Sequence, residues 1–365
     1  MDAPFRADQV GSLLRSAALH AARARFRAGE IPREALTAIE DDEIRRVVGK
    51  QEQLGLRSIT DGELRRDYWH LDFLSQFQGV TLVRNEGPTF QNREEEQPPI
   101  ATVTGKLGYR EPEQLGHWKF LKSVTKQTAK VTIPAPGMLH LRGGRAGIST
   151  TAYPDLAEFW ADAAAVYRKA IAEFAAAGCT YLQLDDVGFA YLCDPKFRES
   201  CRRNGDDPTV LAATYASAIN EAVRDRPAGM RITMHTCRGN FRNTWVASGG
   251  YEPVAEQLLA AKIDGFFMEF DSERSGGFEP LRFLPKGNNR IVLGLLTSKS
   301  GVLESKDVVK RRIDEAAKYV PLERLCLSTQ CGFSSTHHGN DLTEAQQWAK
   351  LALAVEIARE VWGEE

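Results

Sequence analysis

Nothing in this sequence of 365 residues is apolar for long enough to cross a bilayer, since no stretch approaches the ~18 residues that a span requires. The segment Met1 to Val10 has no basic run followed by an apolar one, so a secretory leader is not expected and a cytoplasmic location is. Charge of one sign is also lacking. The 47 basic and 49 acidic side chains leave a formal charge of −2, which gives no electrostatic reason to expect nucleic acid or an anionic membrane as partner. Cysteine is sparse: Cys179, Cys193, Cys201, Cys237, Cys326 and Cys331 are spread through a large chain and make a poor disulfide framework. In a reducing compartment they read as core residues, with one or two available as metal ligands.

What is present is an alternation of short β-rich runs with longer amphipathic segments, the pattern of a parallel sheet covered by helices. Strands are predicted near Ala7–Gly11, Arg57–Asp61, Lys130–Pro134, Thr180–Asp185, Arg231–His235, Gly265–Glu269, Arg290–Leu295 and Arg324–Ser328. A helical face runs through Leu156, Phe159, Trp160, Ala163, Val166, Tyr167, Ala170 and Phe174, and Gly178 follows as a stop. Pro208–Val223, Ser305–Tyr319 and Thr343–Trp362 read the same way. So many repeats fit one (β/α)8 TIM barrel better than an open doubly wound sheet, and a barrel with insertions accommodates this length. Residues 79–129 are polar, contain Glu94-Glu95-Glu96 and Pro98-Pro99, and read as an insertion within the single domain, a small hairpin beside the active-site mouth. The acidic triplet itself reads as a solvated loop.

In such a barrel the chemistry collects where strands run into the following loops. His235 and Cys237 are two apart, so at an extended strand end both side chains point the same way. Alone, that pair is more often a buried histidine beside a core cysteine than a metal site. Other strand ends supply Glu269 and Cys331, and one nitrogen, one carboxylate and two sulfurs suit Zn²⁺. Such an electron-rich site would hold a substrate thiol as a nucleophilic thiolate rather than activate water.

His235-Thr236-Cys237, Glu269 within Phe267–Asp271, and Cys331 within Ser328–Phe333 resemble the zinc motifs of cobalamin-independent methionine synthases. Asp8–Ser12, Ile59–Glu63 and Leu182–Asp186 are similar to the segments that hold the amino-acid thiol in that family. The resemblance implies that Ser12 and its backbone meet the carboxylate of a homocysteine-like substrate, while Glu63 and Asp185 hold its ammonium. Two converging carboxylates suit a cation, although either could instead pair with Arg65 or Arg66.

The resemblance is to the short, single-barrel members. In the loop Thr297-Ser298-Lys299 no histidine stands where the family has its catalytic one, which argues against folate as donor. His337 and His338, after Cys331, are the candidates to replace it as proton donor, and Tyr68, Trp69 and Trp118 are candidate aromatic walls for a flat donor. The expected partners are a small thiol and a methyl or alkyl donor, with a homo-oligomer as an option. Alkyl transfer or demethylation with a non-folate donor and another thiol is an alternative within the same chemistry. From other classes stand a metal-free uroporphyrinogen decarboxylase-like enzyme using Arg6 and Arg15, and a non-catalytic zinc-binding protein.

Overall fold

A computed structural model describes residues 3–84, 98–203, 205–240 and 244–363. Its strands are β1 (Ser58–Ile59), β2 (Gln78–Val83), β3 (Ile100–Gly108), β4 (Thr128–Pro134), β5 (Tyr181–Asp186), β6 (Arg231–Thr236), β7 (Gly265–Glu269), β8 (Arg290–Leu296) and β9 (Leu325–Thr329). Seven of them form one parallel sheet in the order β1-β4-β5-β6-β7-β8-β9, so neighbours in space follow one another along the chain. Crossovers of one hand make such a sheet curl in one direction. The result is an α/β fold with a curled parallel sheet.

The expected first strand is reduced to a single parallel bridge, Ala7 with Leu327. Asp8 N donates to Leu327 O at 3.0 Å and Leu327 N to Arg6 O at 2.8 Å. On the opposite side, toward β1, the segment is joined mainly through side chains: Ser58 Oγ donates to Asp8 Oδ1 at 2.6 Å, Gln9 Nε2 to Ser58 O at 3.1 Å, and Thr60 Oγ1 to Gly11 O at 2.6 Å. Side chains replace the ladder because the chain must bend at Gly11, whose φ of +147° favours glycine. A Cβ there would lie 2.8 Å from Thr132 Cγ2 and 3.1 Å from Glu63 Oε1, so the glycine also lets this loop approach the future cleft.

Helix Leu156–Ala176 buries Phe159, Ala163, Val166, Tyr167, Ala170 and Phe174, the stripe expected from the sequence. Asp155 caps its first turn by accepting from Ala157 N. Tyr167 Oη donates to Pro134 O at 2.8 Å and ties the helix to the end of β4. Pro208–Val223, Lys306–Ala317 and Glu344–Trp362 are helices, the last opened by a capping box between Thr343 and Gln346. Among the described residues no helix is long and apolar enough to cross a membrane.

The predicted insertion is partly a hairpin: β2 and β3 pair antiparallel. Its acidic triplet lies outside the described residues. The helix Glu113–Val124, in contrast, buries Leu115, Trp118 and Leu121 ahead of β4, as the sheet's own crossover helices do. Trp118 is therefore core, its Nε1 donating to Ala129 O at 3.4 Å, and is not a wall for a ligand.

Candidate metal centre and substrate cleft

The sheet register brings the candidate ligands together. Thr236 pairs with Met268, which puts Cys237 level with Glu269 on the neighbouring strand. Cys237 N donates to Asp186 O at 2.7 Å, extending the parallel pairing beyond the last residue of β6 and keeping His235 and Cys237 on one side. Cys331 follows β9 in a loop fixed by Gln330 N donating to Leu296 O at 2.7 Å and Thr329 Oγ1 donating to Cys331 O at 2.9 Å. Between these strands Gly294 leaves no room for a side chain: a Cβ would sit 2.8 Å from Gln330 Cα and 2.9 Å from Met268 O.

One ligand atom from each of His235, Cys237, Glu269 and Cys331 lies within 4.8 Å of the others, and all four residues are buried. The two Sγ atoms are 3.4 Å apart, and both cysteines are free. Neither ring nitrogen of His235 has a nitrogen or oxygen partner, although the residue is 2% exposed, and the side chain it does meet is the Cys331 thiol. A buried imidazole with at most a weak sulfur partner is costly unless something outside the protein engages it. One nitrogen, two sulfurs and a carboxylate within tetrahedral reach fit zinc.

The protein also prepares the charges. Cys237 hydrogen-bonds Cys331 and, with His235 adjacent, holds the Cys331 thiol well below its ordinary range against the opposing effect of burial. Burial works to raise the Glu269 carboxyl, but Lys299, Arg274, His235 and Arg238 outweigh it and keep it ionised. Glu269 is also fixed in orientation: Oε1 accepts from Arg238 N at 2.9 Å and Oε2 from the Arg274 guanidinium at 2.8 Å. Behind it, Glu269 N donates to Tyr251 Oη at 3.0 Å, and the fully buried Arg238 guanidinium lies 4.6 Å from the Tyr251 ring centroid.

Above this cluster opens a cleft of about 680 Å³, its mouth included, reached by Ser12, Glu63, Asp185, His235, Cys237 and Cys331. Glu63 and Asp185 are both buried. Glu63 Oε1 accepts from Thr132 Oγ1 at 2.9 Å, and Arg66 lies 3.5 Å from Oε2. Arg65 turns instead to Glu40 and Asp41. Asp185 accepts from Gln183 Nε2 at 2.7 Å, and burial, with the nearby Glu63 charge, pushes its carboxyl up to about 7. Of these two buried carboxylates, Glu63 meets the Arg66 guanidinium only at the longer end of ion-pair range.

The description of the catalytic domain of cobalamin-independent synthases matches residues 5–360. The chain belongs to that family. The uncharacterized protein YxjH of Bacillus subtilis strain 168 is 50% identical over 363 residues, covering 99% of this chain and 95% of the relative. A methionine synthase of Pyrococcus abyssi is 25% identical, covering 83% of this chain and 79% of its own length. Among solved structures, a Listeria monocytogenes protein provisionally called a vitamin-B12-independent methionine synthase superposes with a TM-score of 0.81 at 42% identity, covering 100% of both chains.

Within this member of the cobalamin-independent synthase family, Ser12 lies at the cleft wall beside the Cys331 loop, its Oγ accepting from Ser334 N at 3.3 Å. His337 and His338 stand one layer back. Their rings pack on each other at 3.9 Å and edge-on against Tyr68, and Tyr68 and Thr336 line the cleft in their place. Thr336 Oγ1 is 3.1 Å from His338 Nδ1. Tyr68 and Trp69 do reach the cleft. Arg15 spends its guanidinium on the carbonyls of Glu63, Arg66, Ser334 and Thr336, and Arg6 on those of Glu323 and Leu325, so neither lines the cleft as a decarboxylase reading requires. Sequence reasoning missed His70, Arg142, Tyr191 and Asn240 on the cleft wall, and Tyr251, Arg238 and Arg274 behind the ligands. The one signal for Arg238 was its place directly after Cys237.

Proposed function

We propose that the protein is a zinc-dependent S-methyltransferase that alkylates homocysteine or a related small thiol, built on a closed (β/α)8 barrel in which the Ala7–Gly11 segment supplies the eighth position. The observation that carries this reading is the convergence of a buried N, O, S, S donor set on a cleft whose wall holds a carboxylate pair. The homocysteine methyltransferase named in relatives such as that of Thermotoga petrophila supports the choice of acceptor.

His235, Cys237, Glu269 and Cys331 would hold the metal. Zinc, when bound, supplies the Lewis acidity that keeps a substrate sulfur in its thiolate form near neutral pH. Glu63 and Asp185 hold the ammonium of the acceptor, and the cation offsets the repulsion between them. Ser12, with the backbone of its loop, meets the acceptor carboxylate. Fixing both ends of the amino acid aims its sulfur at the floor of the cleft and in line with a donor entering from the mouth. Tyr68 and Trp69 form the donor's wall and exclude water. His338 delivers a proton to the cleft through Thr336 when the donor's leaving group needs one, and His337 holds Tyr68. Six free cysteines suit a reducing compartment, in keeping with a cytoplasmic location.

Incubating zinc-loaded protein with homocysteine and a panel of methyl donors, with the product read by mass, tests this. Methionine formed only with zinc present is the expected result. Consumption of donor without any S-methyl product overturns the reading.

A further inference from the structure

The mouth of the cleft carries a cation that the reading above does not use. Arg142 lines the cleft and is exposed, and among the described residues it has no carboxylate partner. Among those residues its guanidinium reaches Tyr191 Oη, at 3.4 Å, and lies 5.5 Å from that ring's centroid. Beside it, His70 lines the same cleft at 7% exposure with Nδ1 unpartnered. Burial, with the Arg142 charge second, holds His70 down to about 3, so His70 is a neutral polar group and not a rival cation. Trp69 packs on His70 with ring centroids 4.6 Å apart and continues the wall.

The cleft is thus polarised. Its floor and inner wall carry Glu63, Asp185, Cys237 and Cys331. Its mouth offers a guanidinium with no carboxylate partner among the described residues, able to form a two-pronged hydrogen bond, next to an imidazole whose Nδ1 has no partner and an aromatic surface. Because the acceptor's carboxylate is placed at Ser12 in the reading above, on which this inference rests, the ligand of Arg142 belongs to the other substrate. We propose that Arg142, with His70 beside it, is the recognition point for an anionic group, a carboxylate in the first instance, carried on the alkyl donor.

The experiment measures donor binding by calorimetry to zinc-loaded protein without thiol, so that no transfer takes place. Two probe pairs are compared: dimethylsulfoniopropionate against its methyl ester, and 5-methyltetrahydrofolate against 5-methyltetrahydropterin lacking the glutamyl arm. The parent should prefer the carboxylate-bearing member of at least one pair. Arg142→Gln should weaken that member by about ten- to a hundred-fold, the scale of a charge-assisted hydrogen bond, and should not weaken the member without the carboxylate. Arg142→Lys should recover part of the loss, and zinc content and homocysteine binding should stay at the parent's level. Equal weakening of the members with and without the carboxylate, a loss that falls on homocysteine instead, or no preference in the parent for either acid overturns the proposal. A kept preference without methyl transfer to homocysteine sinks the proposed function and leaves this subsite standing.

Discussion

Cys237 Sγ and Cys331 Sγ lie 3.4 Å apart although the residues are 94 positions apart in the chain. They are free thiols, too distant for the ~2.05 Å of a disulfide. Two sulfurs held this close inside a protein repel once both ionise, so the arrangement is stable only with a shared proton or a shared cation. The imidazole of His235, with no nitrogen or oxygen partner, and the oriented carboxylate of Glu269 in the same cluster favour the cation.

Purified protein is therefore expected to hold about one zinc per chain. Cys331→Ser and His235→Ala should each lower the occupancy, because each removes a donor from a set of four. Glu269→Gln should bind the metal less tightly while keeping some of it. Elemental analysis after dialysis checks this, and equal zinc in parent, Cys331→Ser and His235→Ala sinks the assignment.

The Glu63–Asp185 wall gives a pH-dependent expectation. Burial first, and Glu63 second, raise the Asp185 carboxyl to about 7, so below that pH it keeps a proton that an incoming ammonium has to displace. Affinity for L-norleucine, which has no sulfur to titrate, should rise as pH climbs toward about 7 and level off above it. Asp185→Asn should weaken binding by ~1.5–3 kcal/mol, flatten the profile and spare zinc. A flat profile in the parent, or normal binding with lost metal in the variant, reverses the assigned roles.

The candidate donor cluster was legible because its residue types are uncommon at strand ends: a histidine and a cysteine two apart and a glutamate closing β7 stand out against Val, Ile and Leu. The supporting layer was not legible. Tyr251 and Arg274 reach Glu269 from loops, and nothing in their spacing separates them from surface residues. The first strand was predicted over Ala7–Gly11 from the alternation of short β-rich runs with amphipathic segments, but its bonds toward β1 are made largely by Ser58, Gln9 and Thr60 side chains. Such tertiary hydrogen bonds leave no periodicity to detect. Trp118 failed as a cleft wall for a related reason: a tryptophan in an amphipathic helix packs inward, and only the fold decides which interior it meets.

Gly294 offers a test of packing that is independent of metal. It sits where β7, β8 and β9 close behind the ligands, and the atoms a Cβ would strike belong to the backbone of Gln330 and Met268, which cannot rotate away. Gly294→Ala should cost ~1–3 kcal/mol in denaturant unfolding of the metal-free protein, the usual scale for overpacking. Unchanged stability would show that the strands separate more easily than the register implies.

The donor is decided by where a proton can come from. A methylfolate is a tertiary amine, and its methyl group leaves readily only once the nitrogen is protonated. The loop that would carry the acid, Thr297-Ser298-Lys299, has no histidine, and Ser298 Oγ is already committed to Gln330 Oε1 at 3.0 Å and Gly332 O at 3.1 Å. The Lys299 charge acts on Glu269 and Cys237, at the floor of the cleft. What remains is His338, one residue removed from the cleft behind Thr336. A sulfonium donor has no such requirement, because it departs as a neutral thioether. Methylfolate triglutamate is therefore expected to turn over far below the common enzymatic range of ~1–10³ s⁻¹, and a sulfonium methyl donor to be preferred. His338→Gln should lower the residual methylfolate rate further and leave the sulfonium rate unchanged, both read as methionine by mass. Steady methylfolate turnover within that range by the parent, or equal loss on both donors in His338→Gln, overturns this account of the donor side.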